Sequence, residues 1–167
     1  MHNLLPWATA LILLLGAAPA PAAPAPAFAA ADIFGDHMVL QRNNTPRVWG
    51  RGPAGHTVTA RIDGHTVATR VDTDGRWSLE LPSRPAGGPH TLTLVLRTRG
   101  DDEALAEQVF TDVMVGEVWF ASGQSNMHMG LKGTRHGAAA LEDAALPLLR
   151  LGSMHGWHVS SAESAKR

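Results

Sequence analysis

Between Ile33 and about Gly116 the polar and apolar positions of this chain alternate with a period of two, interrupted by glycine-rich turns. Thr57-Val58-Thr59-Ala60-Arg61-Ile62 and Thr66-Val67-Ala68-Thr69-Arg70-Val71 each present one apolar face, as half-buried strands do. Asp63-Gly64 separates them, and that pair supplies the positive φ angles a type I′ hairpin turn requires. Asp74-Gly75 marks a second turn into a strand over Trp77 to Leu81. Pro85 to Pro89 reads as a loop before a further strand, Thr91 to Leu96. No helical periodicity stands out in this region. Short strands with turn signals at this spacing predict a β-sandwich, with Trp49 and Trp77 in its core. A sugar-stacking platform is the rarer use of such aromatics.

The pattern changes after Gly116. Val118-Trp119-Phe120-Ala121 is continuously apolar, as expected of a strand buried on both faces of a parallel sheet. Gly137 to Ala145 predicts a short helix, Pro147 ends it, and Leu148 to Leu151 predicts a second strand. Strand, loop, helix, strand is the start of an α/β layer. The expected division is therefore 1–29, 30–115 and 116–167, with the boundary near Asp112 to Glu117. The first of these segments reads as an export signal. Leu11 to Leu15 is an apolar core too short to cross a bilayer, and Ala27-Phe28-Ala29 has the small-x-small form of a signal peptidase site. No Lys or Arg precedes that core, and an uncleaved anchor with a Pro-rich stalk is the alternative. A cleaved signal predicts a secreted or periplasmic protein with no stable membrane insertion.

Composition narrows the chemistry. The net charge is -1 over 167 residues, which gives no electrostatic reason to expect nucleic acid as a partner. There is no cysteine, so disulfides, thiolate catalysis and cysteine-ligated zinc are excluded. His155 and His158 have no acidic neighbour at ligand spacing, and no metal or organic cofactor is expected. Asp36-His37 reads as structural, since neighbours on an extended segment point to opposite faces. His128 reads as a solvated loop residue that lies close enough to Ser125 to line a pocket.

One serine stands in a setting that suits catalysis. Ser125 follows a buried apolar run, on a turn containing Gly123, ahead of helical sequence. Open α/β sheets place their chemistry at that point, beyond the carboxyl ends of the strands. A serine hydroxyl there needs a base to activate it and backbone N–H groups to hold an oxyanion, and its own N–H is one such donor. Ser125-Asn126 capping a helix is the commoner use of these residue types.

"IFGDHMVLQR" (Ile33 to Arg42), "VWGRGPAGHTVTARIDG" (Val48 to Gly64), "DGRWSLELP" (Asp74 to Pro82), "PAGGPHTLTL" (Pro85 to Leu94) and "VMVGEVWFASGQSNM" (Val113 to Met127) resemble, in that order, the amino-terminal part of the sialate O-acetylesterase family. The resemblance implies a β-sandwich beside an SGNH-type α/β hydrolase domain, and removal of O-acetyl groups from sialic acids or related sugars. It implies Ser125 as nucleophile, with Gly123, Gln124 and Asn126 shaping the oxyanion loop. It also implies a later Gly and Asn in the oxyanion hole and a later Asp-x-x-His; the Asn and the Asp-x-x-His cannot be matched here, since no Asp is followed three residues on by His and Asn126 is the last Asn. The expectation is an incomplete, inactive part of a carbohydrate acetylesterase. The alternatives are a related SGNH esterase acting on plant polysaccharides, or a non-catalytic β-sandwich that binds carbohydrate.

Overall fold

The computed structural model describes residues 27–153 and 158–161; the apolar run Leu11 to Leu15 and His155 lie outside them. The strands are β1 (Ala29–Ala30), β2 (Val39–Gln41), β3 (Arg47–Arg51), β4 (Thr57–Ile62), β5 (His65–Arg70), β6 (Arg76–Glu80), β7 (Gly87–Arg97), β8 (Ala104–Gly116), β9 (Arg150–Ser153) and β10 (His158–Ser161). Among the described residues one α-helix, α1, spans Gly137–Glu142, preceded by 3-10 turns at Ser125–His128 and Leu131–Gly133. The chain is mostly β. A three-stranded sheet, ordered β1-β3-β6, and a five-stranded sheet, ordered β2-β8-β7-β4-β5, contribute side chains to one buried core.

Alternation along the strands builds that core. Val48 of β3, Trp77 and Leu79 of β6, Val58, Ala60 and Ile62 of β4, and Leu92, Leu94 and Leu96 of β7 all point inward. Ile62 pairs with His65, so Asp63 and Gly64 alone make the connection, with φ of 45° and 76°. Both central residues are left-handed, as a type I′ turn demands. β5 runs His65 to Arg70, one residue earlier than the pattern predicts, and β7 begins at Gly87, inside the expected loop.

The two tryptophans part company. Trp77 is 3% exposed and donates its indole N–H to the Arg51 carbonyl at 2.9 Å. Its ring covers Gly50, where an added Cβ would stand 2.6 Å from the indole and 2.1 Å from the Ala29 carbonyl oxygen. Trp49 is not a core residue. It is 41% exposed and meets Phe34 edge to face at 4.7 Å. Trp49 pairs with Ser78 and Trp77 with Gly50, so their parity in the ladder is opposite and only Trp77 falls on the inner face.

A bulge interrupts β8 near Thr111 and Asp112. Leu92 pairs with Phe110 and His90 with Val113, so two steps on β7 face three on β8. The extra residue leaves the ladder and bends the strand. Asp112 absorbs the bend with φ of 51°. The Thr111 N–H, turned out of the ladder, donates to Asp36 Oδ1 at 2.6 Å, and the Thr111 hydroxyl donates to the same oxygen at 2.9 Å.

Beyond Gly116 the structure departs from the sequence reading. Val118 to Ala121 forms no strand, with Trp119 87% and Phe120 83% exposed. An apolar run becomes a two-face-buried strand only where layers cover both sides, and no described strand or helix covers this one. The helix is shorter than expected, and β9 starts at Arg150 rather than Leu148 and pairs antiparallel with β10.

Candidate functional site

The loop that carries Ser125 leaves the β-rich body from a fixed point. β2 lies parallel to the end of β8, with Gln41 opposite Gly116. The Arg42 N–H donates to the Gly116 carbonyl at 2.9 Å, and the Val118 N–H donates to Gln41 Oε1 at 2.9 Å. Gln41 Nε2 and Arg42 Nε both donate to the Glu117 carboxylate, at 3.0 and 2.5 Å. These two bonds hold the Glu117 carboxyl below its ordinary range, Gln41 contributing most and Arg42 next. The "VLQR" and "VGEV" stretches are therefore two sides of one contact.

Eight residues downstream, Ser125 opens the 3-10 turn Ser125–His128, with Gln124 as the extended residue before it. No side chain caps this turn, so Ser125 does not act as a helix cap. The N–H groups of such a first turn have no acceptor within the turn. Gly123, Gln124, Ser125 and Asn126 are all exposed, and among the described residues no side-chain hydrogen bond reaches Ser125. The structure thus brings the four loop residues together and gives the serine no base among the described side chains. Among the described residues no group of three metal-ligating side chains assembles either.

A second polar cluster forms at residues that no sequence pattern had joined. Asp36 and His37 sit in a turn rather than on an extended segment, His37 having φ of 65°. They do not pair with each other. Asp36 caps the bulge at Thr111, whose two hydrogen bonds hold its carboxyl below the ordinary range, the backbone bond contributing most. His37 Nδ1 lies 2.7 Å from Asp112 Oδ2, and Arg150 Nη2 reaches the same oxygen at 2.9 Å. The His37 hydrogen bond is the larger cause, and Arg150 a smaller one, of a lowered Asp112 pKa. The Asp112 carboxylate is thereby shared between the His37 ring and the Arg150 guanidinium. The partners stand 75 and 38 residues apart in sequence. Only the bulge that re-aims Asp112 brings them together.

No family model matches the chain. It is 30% identical over 156 residues to the sialate O-acetylesterase of Rattus norvegicus, covering 84% of this chain and 27% of that protein. The Homo sapiens enzyme of the same name is 33% identical over 113 residues, which covers 61% of this chain and 20% of that protein. The chain thus spans about a quarter of the length of the curated relatives it matches. Among solved structures, a carbohydrate acetylesterase from Xanthomonas citri superposes with a TM-score of 0.66 at 28% identity, over 78% of this chain and 31% of that one. The chain is similar to sialate O-acetylesterases in sequence and to a carbohydrate acetylesterase in structure.

Proposed function

We propose that this chain, which resembles the sialate O-acetylesterases over about a quarter of their length, is the part of a carbohydrate O-acetylesterase that supplies the nucleophile. In this reading a β-sandwich over 30–115 precedes the first part of an SGNH-like α/β domain over 116–167, and the protein works outside the cytoplasm. The observation that carries it is the anchored exit of β8. The Gln41, Arg42 and Glu117 contacts fix the start of the loop that presents an exposed, uncapped Ser125.

In the reaction Ser125 Oγ attacks the acetyl carbonyl of an O-acetylated sugar while a base takes its proton. Backbone N–H groups at Ser125 hold the oxyanion, with Gly123, Gln124 and Asn126 shaping the loop around them. The tetrahedral intermediate expels the sugar hydroxyl, protonated by the same base, and leaves acetyl-Ser125. Water then attacks that ester, releasing acetate and the free serine. The 167 residues contain no Asp-x-x-His and no Asn after Asn126. By themselves they are expected to turn over aryl acetate hardly at all, because loss of one oxyanion donor alone costs roughly 10²–10³ in rate.

The test is a chimera in which this chain replaces the matched portion of the Xanthomonas citri esterase, which then supplies the remaining machinery. It should release acetate from O-acetylated sugars, and Ser125→Ala should abolish release by up to about 10⁶-fold. A folded chimera whose Ser125→Ala variant keeps more than a small fraction of its rate rules out this nucleophile.

A further inference from the structure

The outer face of the β1-β3-β6 sheet is not an ordinary solvated surface. Its middle strand presents Arg47, Trp49 and Arg51, and β6 beside it presents Arg76, Ser78 and Glu80. In register, Arg47 faces Glu80, and the two form an ion pair at 3.0 Å. Trp49 faces Ser78, and on its other side lies Ala31, whose N–H bonds the Trp49 carbonyl. Small residues flank Trp49 on both sides, and its indole, 41% exposed, packs edge to face with Phe34. The next row is Ala29, Arg51 and Arg76.

That row sets two arginines directly opposite each other in the ladder, where Cβ atoms lie about 4.5–5.5 Å apart and like charges repel. Among the described residues neither Arg51 nor Arg76 forms an ion pair with a carboxylate, and nor does Arg70 on the same rim. Asp32 and Asp72 also line the groove, which encloses about 910 Å³. Asp72 is engaged through Oδ1 by the N–H groups of Asp74 and Arg76. The arrangement is a half-exposed indole, a repelling arginine pair two residues further along the strand, and carboxylates at the margin.

We propose that this groove binds a carboxylate-bearing saccharide, one pyranose stacking on Trp49 and its carboxylate bridging Arg51 and Arg76. A pyranose offers a C–H face that an indole attracts, and a carboxylate offers the paired oxygens that an arginine fork accepts. Two residues along a strand advance about 7 Å, a span that one ring and its carboxylate can bridge. Asp32 faces the sugar hydroxyls as an acceptor. The groove is a holding site for acidic glycan, and it rests on the carbohydrate reading above.

Titration calorimetry of the full chain with α-1,4-trigalacturonate and with the neutral α-1,4-galactotriose tests this. The acidic trimer should bind at least tenfold more tightly, and its advantage should shrink with added salt. Arg51→Gln with Arg76→Gln should reduce its affinity to that of the neutral trimer while leaving the melting temperature unchanged or higher, because a repulsion is removed. Trp49→Ala should weaken both trimers, and Trp49→Phe should restore part of the loss. Equal binding of the two trimers, no binding of either at millimolar concentration, or unaltered binding in the double variant overturns the proposal. So does equal affinity for tripolyphosphate, which shows a mere polyanion surface. The two readings fail separately: a chimera that releases no acetate while the chain binds trigalacturonate refutes the esterase, and acetate release without glycan binding refutes the groove.

Discussion

Replacing Asp36 by Ala tests whether this residue serves the fold rather than the reaction. Its Oδ1 accepts from both the N–H and the hydroxyl of Thr111, at 2.6 and 2.9 Å. The amide belongs to the bulge in β8 and has no other acceptor in the ladder. A hydrogen bond to a charged group contributes about 1.5–3 kcal/mol. Asp36 is exposed, so solvent screens much of that and water can take over both donors. A net loss of roughly 1–2 kcal/mol remains, which lowers the melting temperature of a domain this size by roughly 4–15 °C. The pH dependence follows from the depressed Asp36 carboxyl. A lowered folded-state pKa gives stability that is fully present above the unfolded value, near 3.9, and is lost as pH falls through the folded one. The gap between parent and Asp36→Ala should therefore be constant from about pH 5 to 8 and close below about pH 4. Asp36→Asn, which keeps an acceptor without a charge, should lose less, and its gap to the parent should close over the same range, because the titrating group belongs to the parent. The assay is thermal unfolding by circular dichroism across that pH range. An unchanged melting temperature at pH 7, or a gap that widens in acid, refutes the reasoning.

Two further substitutions probe the small sheet. Gly50→Ala puts a Cβ 2.1 Å from the Ala29 carbonyl oxygen and 2.6 Å from the Trp77 ring; because a backbone atom cannot swing aside, the loss should reach the upper part of the usual 1–3 kcal/mol for overpacking, read by urea unfolding. A chain beginning at Ala30 loses Phe28, whose ring sits 6.0 Å from Trp77, and the Ala29–Arg51 pairing. It should be less stable than a chain beginning at Ala27 by at least the roughly 0.5–1.5 kcal/mol of an aromatic pair and melt correspondingly lower; equal melting temperatures would show that Phe28 and Ala29 contribute nothing.

Some of this molecule was settled locally. Asp63-Gly64 dictates its own turn, because two left-handed residues in succession leave the chain only one tight way back, and β4 then lies where its alternation puts it. The loop that carries Ser125 leaves the β-rich body just after β8, where the apolar alternation stops. Other features needed the whole fold. Trp77 shares its parity with Leu79 and Leu81, which already turns it inward, whereas in Arg47 to Arg51 the large apolar residues Val48 and Trp49 fall on opposite parities; the pairing of β3 with β6 over one core decides that Val48 is the one inside. Asp36 and His37 read as structural, but their partners Thr111 and Asp112 could not be named, because the bulge that carries them lies 75 residues away. The apolar run at Val118 to Ala121 fails as a guide for the same reason. Burial is a relation between a segment and what covers it, and a segment's own residues specify only one side of that relation.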